Sequence, residues 1–166
     1  INQLNVIPNS GNSIGKAKYN SLLSVIDKTS TGIGKRYLRD QLLNPISSAG
    51  AIEKRYDIVE FFYKDDNYKI FAEILAKISD LEKYHRRITM ALIQPADFYF
   101  LDYSYENVLK LLEMTPSIPD DIRPDKEAIA SLSKFKGRIN EVFDIGKITK
   151  YHIDNIDESF FKKGYS

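Results

Sequence analysis

A short basic cluster is the part of this sequence whose residue types are best suited to contacting phosphate. Lys83, Arg86 and Arg87 lie close together, and Tyr84 stands between them. Lysine and arginine side chains commonly position proteins on a nucleic-acid backbone. The same pattern is also typical of the solvated face of an amphipathic helix. We predict the solvated face, and we keep a weak phosphate contact by Lys83, Arg86 and Arg87 as the alternative.

One glutamate–histidine pair has the spacing of a metal site. Glu82 and His85 match the Glu-x-x-His pattern of di-iron helical bundles, in which both side chains project from one helix face. Such a site needs a second motif of the same kind, but the other histidine, His152, has Thr149 three positions before it. We therefore predict that this chain holds no metal and no other cofactor, and that His85 is an ordinary histidine.

Residues 32–36, Gly-Ile-Gly-Lys-Arg, share part of the pattern of a phosphate-binding loop. That loop needs a glycine five positions before its Gly-Lys pair and a serine or threonine directly after it. Thr29 and Arg36 occupy those two places, so the pattern fails twice. We predict a capped helix start, whose N-terminus would hold an anion only weakly.

The remaining acidic groups are placed like turn and cap residues, because prolines and asparagines lie near them. They are Asp120, Asp121, Asp154, Asp157 and Glu158. The chain has two histidines and no cysteine, so few residues could form a nucleophile–base pair. The sequence therefore predicts no catalytic residue.

The composition is that of a single folded domain. The chain has 166 residues, 43% of them hydrophobic, with 24 Lys+Arg against 23 Asp+Glu and a net charge of +1. That balance argues against a broad basic face for nucleic acid. The absence of cysteine excludes disulfides and thiolate zinc sites, and it is compatible with a reducing compartment.

The two ends of the sequence suggest a part of something longer. The longest uncharged stretch, residues 1–15, is too polar for a membrane span or a signal peptide. The first residue is Ile1 rather than methionine, and the last is Ser166. We expect a piece of a larger protein, with function only partly inside it.

Apolar residues recur at helical spacing along most of the chain. The periodicity predicts helices over residues 32–43, 49–64, 67–78, 81–88, 95–114 and 125–147. The predicted N-caps are Thr31, Ser47 or Ser48, Ser79 or Asp80, Gln94, and Asp125. Residues 21–27 fit a helical turn or a buried strand, and Tyr151 and Ile153 alternate weakly like a short strand. The sum predicts an all-α fold of several packed helices.

Two helices carry more detailed expectations. In the second, Ile52, Tyr56, Val59 and Tyr63 form the predicted buried stripe, which Ile58 and Phe62 widen. The last is predicted to run unbroken to about Lys147, where Gly146 ends it.

Three stretches carry a pattern more specific than periodicity. In the first, a short apolar piece leads to Gly-Lys-Arg-x-Leu, then Leu-x-x-Pro, then Ile-x-x-Arg. Its key residues are Asp27, Thr29, Thr31, Gly34, Arg36, Leu38, Leu42, Pro45, Ile52 and Arg55. The second is Asp80-Leu81-Glu82 with Arg87-Ile88, and the third is residues 160–165. Together they resemble the core domain of MutS-family DNA mismatch repair proteins, the third stretch being similar to the segment just before the family's clamp.

The resemblance implies a mechanical role. The MutS core, or lever, joins the ATPase domain to the clamp that grips DNA and relays nucleotide state between them. It therefore implies a connector over residues 1–20 and a lever domain over residues 21–166 that ends just before the clamp. This chain would not be an enzyme, whereas its parent would be a DNA-dependent ATPase that binds ATP and Mg²⁺ outside these residues.

The resemblance also implies partners and a location. The partners would be the ATPase, clamp and connector domains of the same polypeptide, mismatched DNA, and a second subunit of a homo- or heterodimer. No membrane would be involved, and the protein would act inside the cell, in the cytoplasm or the nucleus.

Two other hypotheses compete with the lever. One is a helical nucleic-acid-binding module that uses Lys83, Arg86 and Arg87. The other is a protein-interaction scaffold, since the stretch 98–105 is aromatic-rich and would present Tyr99, Phe100 and Tyr103.

Overall fold

The computed structural model describes residues 5–8, 20–114, 119–149 and 159–165. Its regular elements there are helices, which confirms the predicted all-α class. The β structure in these ranges amounts to an isolated antiparallel bridge between Phe143 and Phe161. Across the same ranges, no helix combines the length and the apolar character that crossing a bilayer requires.

The chain divides into two compact units, Ile1–Lys64 and Asp65–Ser166. The residues of each unit pack mainly against other residues of the same unit. The connector over residues 1–20 and the lever domain over residues 21–166 are a functional division, which stays a prediction.

The first unit contains α1 (Leu22–Ile26), α2 (Gly32–Leu43) and α3 (Ala49–Tyr63). Residues 21–27 form a helix rather than a strand because Ser21 caps it, accepting the Ser24 N–H at 3.2 Å. Thr31 is the N-cap of α2, as predicted, and its Oγ1 accepts the Gly34 N–H at 2.9 Å.

The predicted buried stripe of α3 is wrong in most of its members. The side chains of Tyr56, Val59 and Tyr63 are 67%, 58% and 80% exposed. The half-buried side of α3 instead includes Ile52, Arg55, Ile58 and Phe62. Arg55 donates a hydrogen bond to the Gln41 side chain of α2, and this contact fixes which side of α3 faces α2. Periodicity alone does not distinguish this side from the neighbouring aromatic one.

Two residues between α3 and the next helix have an unusual backbone conformation. Asp65 and Asp66 have φ angles of 54° and 58°, in the left-handed region that non-glycine residues rarely adopt. Aspartate tolerates this region better than most residues, which suits it to the break between two helices.

The described part of the second unit contains five α-helices. They are α4 (Asn67–Leu75), α5 (Leu81–Thr89), α6 (Pro95–Glu113), α7 (Lys126–Val142) and α8 (Ile145–Ile148). Asp80 and Asp125 cap α5 and α7 as predicted, each accepting the N–H three residues on. Helix α4 ends three residues before the predicted position, because Lys77 and Ile78 donate back three residues in a tightened turn.

Helix α6 is the centre of the second unit. It packs against α4, α5, α7 and α8. Leu101 and Tyr105 of α6 and Ile139 of α7 form the buried cluster, and side chains of α5, α7 and α8 surround it. The buried residues of α6 therefore include both apolar side chains, such as Leu101, and polar ones.

The last long helix is not continuous, which corrects the prediction of one helix to Lys147. Phe143 is extended, and Asp144 caps α8 by accepting the Lys147 N–H at 3.1 Å. Gly146 lies inside α8 rather than ending a helix. Phe143 stacks on Phe98 with ring centroids 4.2 Å apart, so the break places an aromatic ring against α6.

Residues 159–165 supply the hydrogen bonds that the broken helix lacks. The Asp144 N–H donates to the Phe160 carbonyl at 2.8 Å, and the Lys162 N–H donates to the Val142 carbonyl at 2.9 Å. Gly164, with φ of 96°, lies in a turn. These partners are distant in sequence, which explains why periodicity predicts a straight helix here. The strand expected at Tyr151 and Ile153 lies outside the described residues.

Candidate functional site

The predicted phosphate-contact residues share helix α5 but differ in environment. Lys83 and Arg86 are exposed, and within the described residues neither side chain forms an ion pair. Arg87 is half-buried, and its Nη1 lies 2.8 Å from Oδ1 of Asp97 in α6. The structure therefore gives Arg87 an internal carboxylate partner and leaves Lys83 and Arg86 facing solvent. Phosphate contact by the three residues stays a prediction.

The buried carboxylate of Asp97 makes two structural contacts, one through each oxygen. Its Oδ1 accepts the Arg87 guanidinium, and its Oδ2 accepts the Gln94 N–H at 2.8 Å. The second bond satisfies a backbone donor at the start of α6, where Gln94 is the predicted N-cap. One side chain therefore both starts α6 and ties it to α5.

A second buried carboxylate ties α6 to α7. Asp102 Oδ1 lies 3.0 Å from the Lys136 ammonium and accepts a hydrogen bond from the Asn140 amide. Two residues further along α6, the Ser104 hydroxyl accepts the Ser79 N–H at 3.0 Å, just before α5 begins. Helix α6 is thus held by polar contacts on both flanks as well as by its apolar core.

Sequence reasoning did not single out these buried polar residues of α6. They are Asp97, Asp102, Ser104 and Asn107. A signal was available, because Asp97 and Ser104 lie four residues before and three residues after Leu101, on the apolar stripe. Polar residues on a buried stripe need partners, and the partners come from other helices.

The histidine of the metal hypothesis contacts two aromatic side chains. Glu82 is exposed, whereas His85 Nε2 is hydrogen-bonded to the Tyr105 hydroxyl and its ring packs on Phe135 with centroids 5.8 Å apart. Burial raises the pKa of Tyr105 to about 12. No group of three or more His, Cys, Asp or Glu side chains converges within the described part of the chain, and His152 lies outside it.

The aromatic residues of the scaffold hypothesis form one partly exposed surface. Tyr84 of α5 stacks on Phe100 with centroids 6.3 Å apart, and Tyr99 stacks on Tyr103 at 6.1 Å. Phe100 and Tyr103 keep 42% and 39% of their surface exposed. The structure brings the predicted trio together but does not show what it binds.

Residues 32–36 do not form a nucleotide site. They are the first turn of α2, and the Gly34 N–H is already donated to Thr31. The Lys35 ammonium lies 3.2 Å from the Asp27 carboxylate. A phosphate-binding loop needs free backbone N–H groups ahead of its helix, so these residues do not fit ATP, and the predicted capped helix start is confirmed.

Comparison with known proteins places this all-helical chain in a family. The family model described as MutS domain III matches residues 1–159. A putative DNA mismatch repair protein, a mutS homolog of Acanthamoeba polyphaga mimivirus, is 36% identical over 99% of this chain and 15% of its own length. The DNA mismatch repair protein MutS of Ehrlichia chaffeensis is 29% identical over 88% of this chain and 20% of its own length.

These relatives are much longer than the sequence studied. The MutS of Ehrlichia ruminantium is 37% identical over 61% of this chain and 13% of its own length. No solved structure matches significantly. The family model nevertheless covers nearly the whole chain, and the first two motif stretches lie within the matched residues. The chain therefore belongs to the MutS family of DNA mismatch repair proteins, as its domain III.

Proposed function

We propose that this chain is the lever of a MutS-type mismatch repair ATPase, relaying between its ATPase domain and its DNA clamp. The observation that supports the proposal is that α6 is attached to the helices on both of its sides. Ion pairs between a buried carboxylate and a half-buried cation join it to α5 through Arg87–Asp97 and to α7 through Asp102–Lys136. A helix held on two flanks moves together with its neighbours, and rigid elements of this kind transmit displacement.

The parent protein would supply the chemistry. ATP and Mg²⁺ would bind in its ATPase domain, mismatched DNA would lie in its clamp, and the active form would be a homo- or heterodimer inside the cell. The present chain would contribute stiffness and no catalytic group. The family membership and the ion pairs between the helices support a mechanical role for this chain and a chemical role for other domains of the parent.

The test is made in the full-length protein. Asp102→Ala removes the carboxylate shared by Lys136 and Asn140. We expect slower ATP-triggered release of mismatched DNA, with little change in ATP hydrolysis without DNA. Glu106→Gln is the matched control, since the ion pair of Glu106 in the described structure is with Lys110 of its own helix, and Lys136 acts on it at longer range only. Release at the wild-type rate in Asp102→Ala would contradict the lever role of this junction.

A second candidate is nucleic-acid binding by α5, which the exposure of Lys83 and Arg86 favours. The variant Lys83→Ala/Arg86→Ala/Arg87→Ala distinguishes it from the lever. If α5 binds DNA, the salt dependence of binding by the 166-residue chain becomes shallower by about one unit per lost phosphate contact. An unchanged slope removes the candidate. The lever proposal in turn requires that this chain does not select mismatched over matched duplexes.

A further inference from the structure

A groove runs between α4 and α6 in the second unit. Ile70 and Ile74 line it from α4, and Asn107 and Met114 line it from α6 and the residue directly after that helix. The members of each pair are four and seven positions apart, so each pair lies on one face of its helix. The volume of the groove is about 380 Å³, which is within the roughly 300–1,000 Å³ of ligand-binding sites.

Asn107 is the buried polar residue of this lining. It is 4% exposed, and its Nδ2 donates to the Tyr103 carbonyl at 2.7 Å. That bond identifies the nitrogen, because a carbonyl oxygen can only accept. Within the described residues, the other polar atom of the side chain, Oδ1, has no hydrogen-bond partner, yet no fully enclosed side-chain oxygen there lacks one. The Asn107 Oδ1 therefore reaches open space, and the groove is the space that Asn107 lines.

The charged residues at the edge of the groove balance one another. Glu73 and Glu113 are acidic, and Lys77 and Lys110 are basic. Such an edge attracts ligands of neither charge strongly, so the groove suits a neutral, apolar group. An apolar centre with a polar, solvent-accessible rim is typical of interfaces between proteins that associate reversibly.

We propose that this groove binds the tryptophan side chain of a separate protein. The indole ring packs on Ile70, Ile74 and Met114, and its N–H donates to the Asn107 Oδ1. An indole has one donor and no acceptor, so a single acceptor satisfies it completely, whereas a tyrosine hydroxyl also needs a donor. Tryptophan is enriched among the residues that dominate interface energies. The 166 residues contain no tryptophan, so a second copy of them does not supply the ring. The binding does not depend on the lever role.

The first experiment locates the bound ring without any variant. The probe is N-acetyltryptophanamide, which carries an amide on each side of the residue, as a polypeptide does. The chain has two methionines, so isotope labelling of their methyl groups gives two NMR signals. Met90 and Met114 each follow a helix and are 57% and 55% exposed, but Met114 alone lines the groove. The probe should shift the Met114 signal to saturation and leave the Met90 signal unchanged. Equal shifts of both signals, or no shift, would overturn the proposal.

A second experiment tests the hydrogen bond. Because the chain has no tryptophan, indole fluorescence reports the probe alone. The analogue that is methylated on the indole nitrogen should bind about fivefold more weakly, since it cannot donate to Asn107. Asn107→Leu should remove this difference. Asn44→Leu is the matched control and should keep it, because Asn44 also donates to the carbonyl four residues earlier but lies outside the groove. Equal binding of both probes to the wild-type chain would show that Asn107 is not the acceptor.

Two competing probes test the class of ligand. N-acetyltyrosinamide and free indole should each bind more weakly than N-acetyltryptophanamide. Tighter binding of the tyrosine probe would assign the groove to a different side chain. Equally tight binding of free indole would assign it to a small molecule rather than to a protein. Either result would overturn the proposal and would leave the lever role untouched.

Discussion

At the scale of single residues, the informative side chains are those that are both buried and charged. Arg87 reads as part of a basic cluster in the sequence, yet in the fold it is the partner of Asp97. The exposed neighbours Lys83 and Arg86 have no comparable constraint. Removing a buried partner leaves a charge without compensation, whereas removing an exposed one lets water replace it.

Asp97→Asn should destabilise the chain markedly. It weakens both the Arg87 contact and the cap at Gln94, and a buried charged pair of this kind contributes about 1–3 kcal/mol. The measurement is the midpoint of urea unfolding. Glu106→Gln, which breaks an exposed pair within α6, should cost under about 0.5 kcal/mol. Similar losses in both variants would contradict the assignment of Asp97 as a cross-helix tie.

Tyr105 should make stability fall in alkali. Its pKa is about 12 in the folded chain and 10.0 in the unfolded reference, so the unfolded chain loses this proton first. The stabilisation is fully present below pH 10 and is lost as the pH rises toward 12, by up to about 2–3 kcal/mol. Urea midpoints at increasing pH should therefore fall more steeply in wild type than in Tyr105→Phe. Parallel curves would count against the burial of this hydroxyl.

At the scale of elements, the caps were predictable and the helix faces were less so. Thr31, Asp80 and Asp125 cap their helices as local sequence predicts, because a cap involves residues only three apart. The exposed face of α3 and the break after Val142 depend on Gln41 and on residues 160–162, which lie far away in the chain.

Two glycines offer a matched test of local crowding within helices. A Cβ at Gly137, in α7, would meet no atom within 4 Å, so Gly137→Ala should stabilise the chain by about 0.5–1 kcal/mol. A Cβ at Gly34 would lie 3.0 Å from the capping hydroxyl of Thr31, so Gly34→Ala should show no such gain. Thermal midpoints of the two variants check this. A larger gain at Gly34 than at Gly137 would show that the Thr31 cap is not tight.

At the scale of the whole molecule, the two units differ in how much they bury. In the first unit, α2 and α3 contain no fully buried residue, and Leu23 is the one buried apolar side chain among its described residues. The second unit has a cluster around Leu101, Tyr105 and Ile139. Burial of apolar surface is the main stabilising contribution, so the units should differ in local stability.

Hydrogen exchange should reveal that difference directly. Amides in the middle of α2 and α3 should exchange faster than those in the middle of α6, because local opening of the first unit exposes less apolar surface. Mass spectrometry of peptic peptides from the native chain provides the measurement. Equal protection of α3 and α6 would mean that the first unit gains stability from contacts other than its own buried side chains.

The sequence alone determined the helical class, the caps at Thr31, Asp80 and Asp125, and the family. Each depends on residues close together in the chain, or on a sequence pattern that can be recognised without the tertiary contacts. Tertiary structure alone decided which face of α3 is covered, where the last helix breaks, and that Arg87 pairs with Asp97 while α4 and α6 line one groove. The physical reason is that burial and charge pairing are relations between distant segments, and helical periodicity describes only one segment at a time.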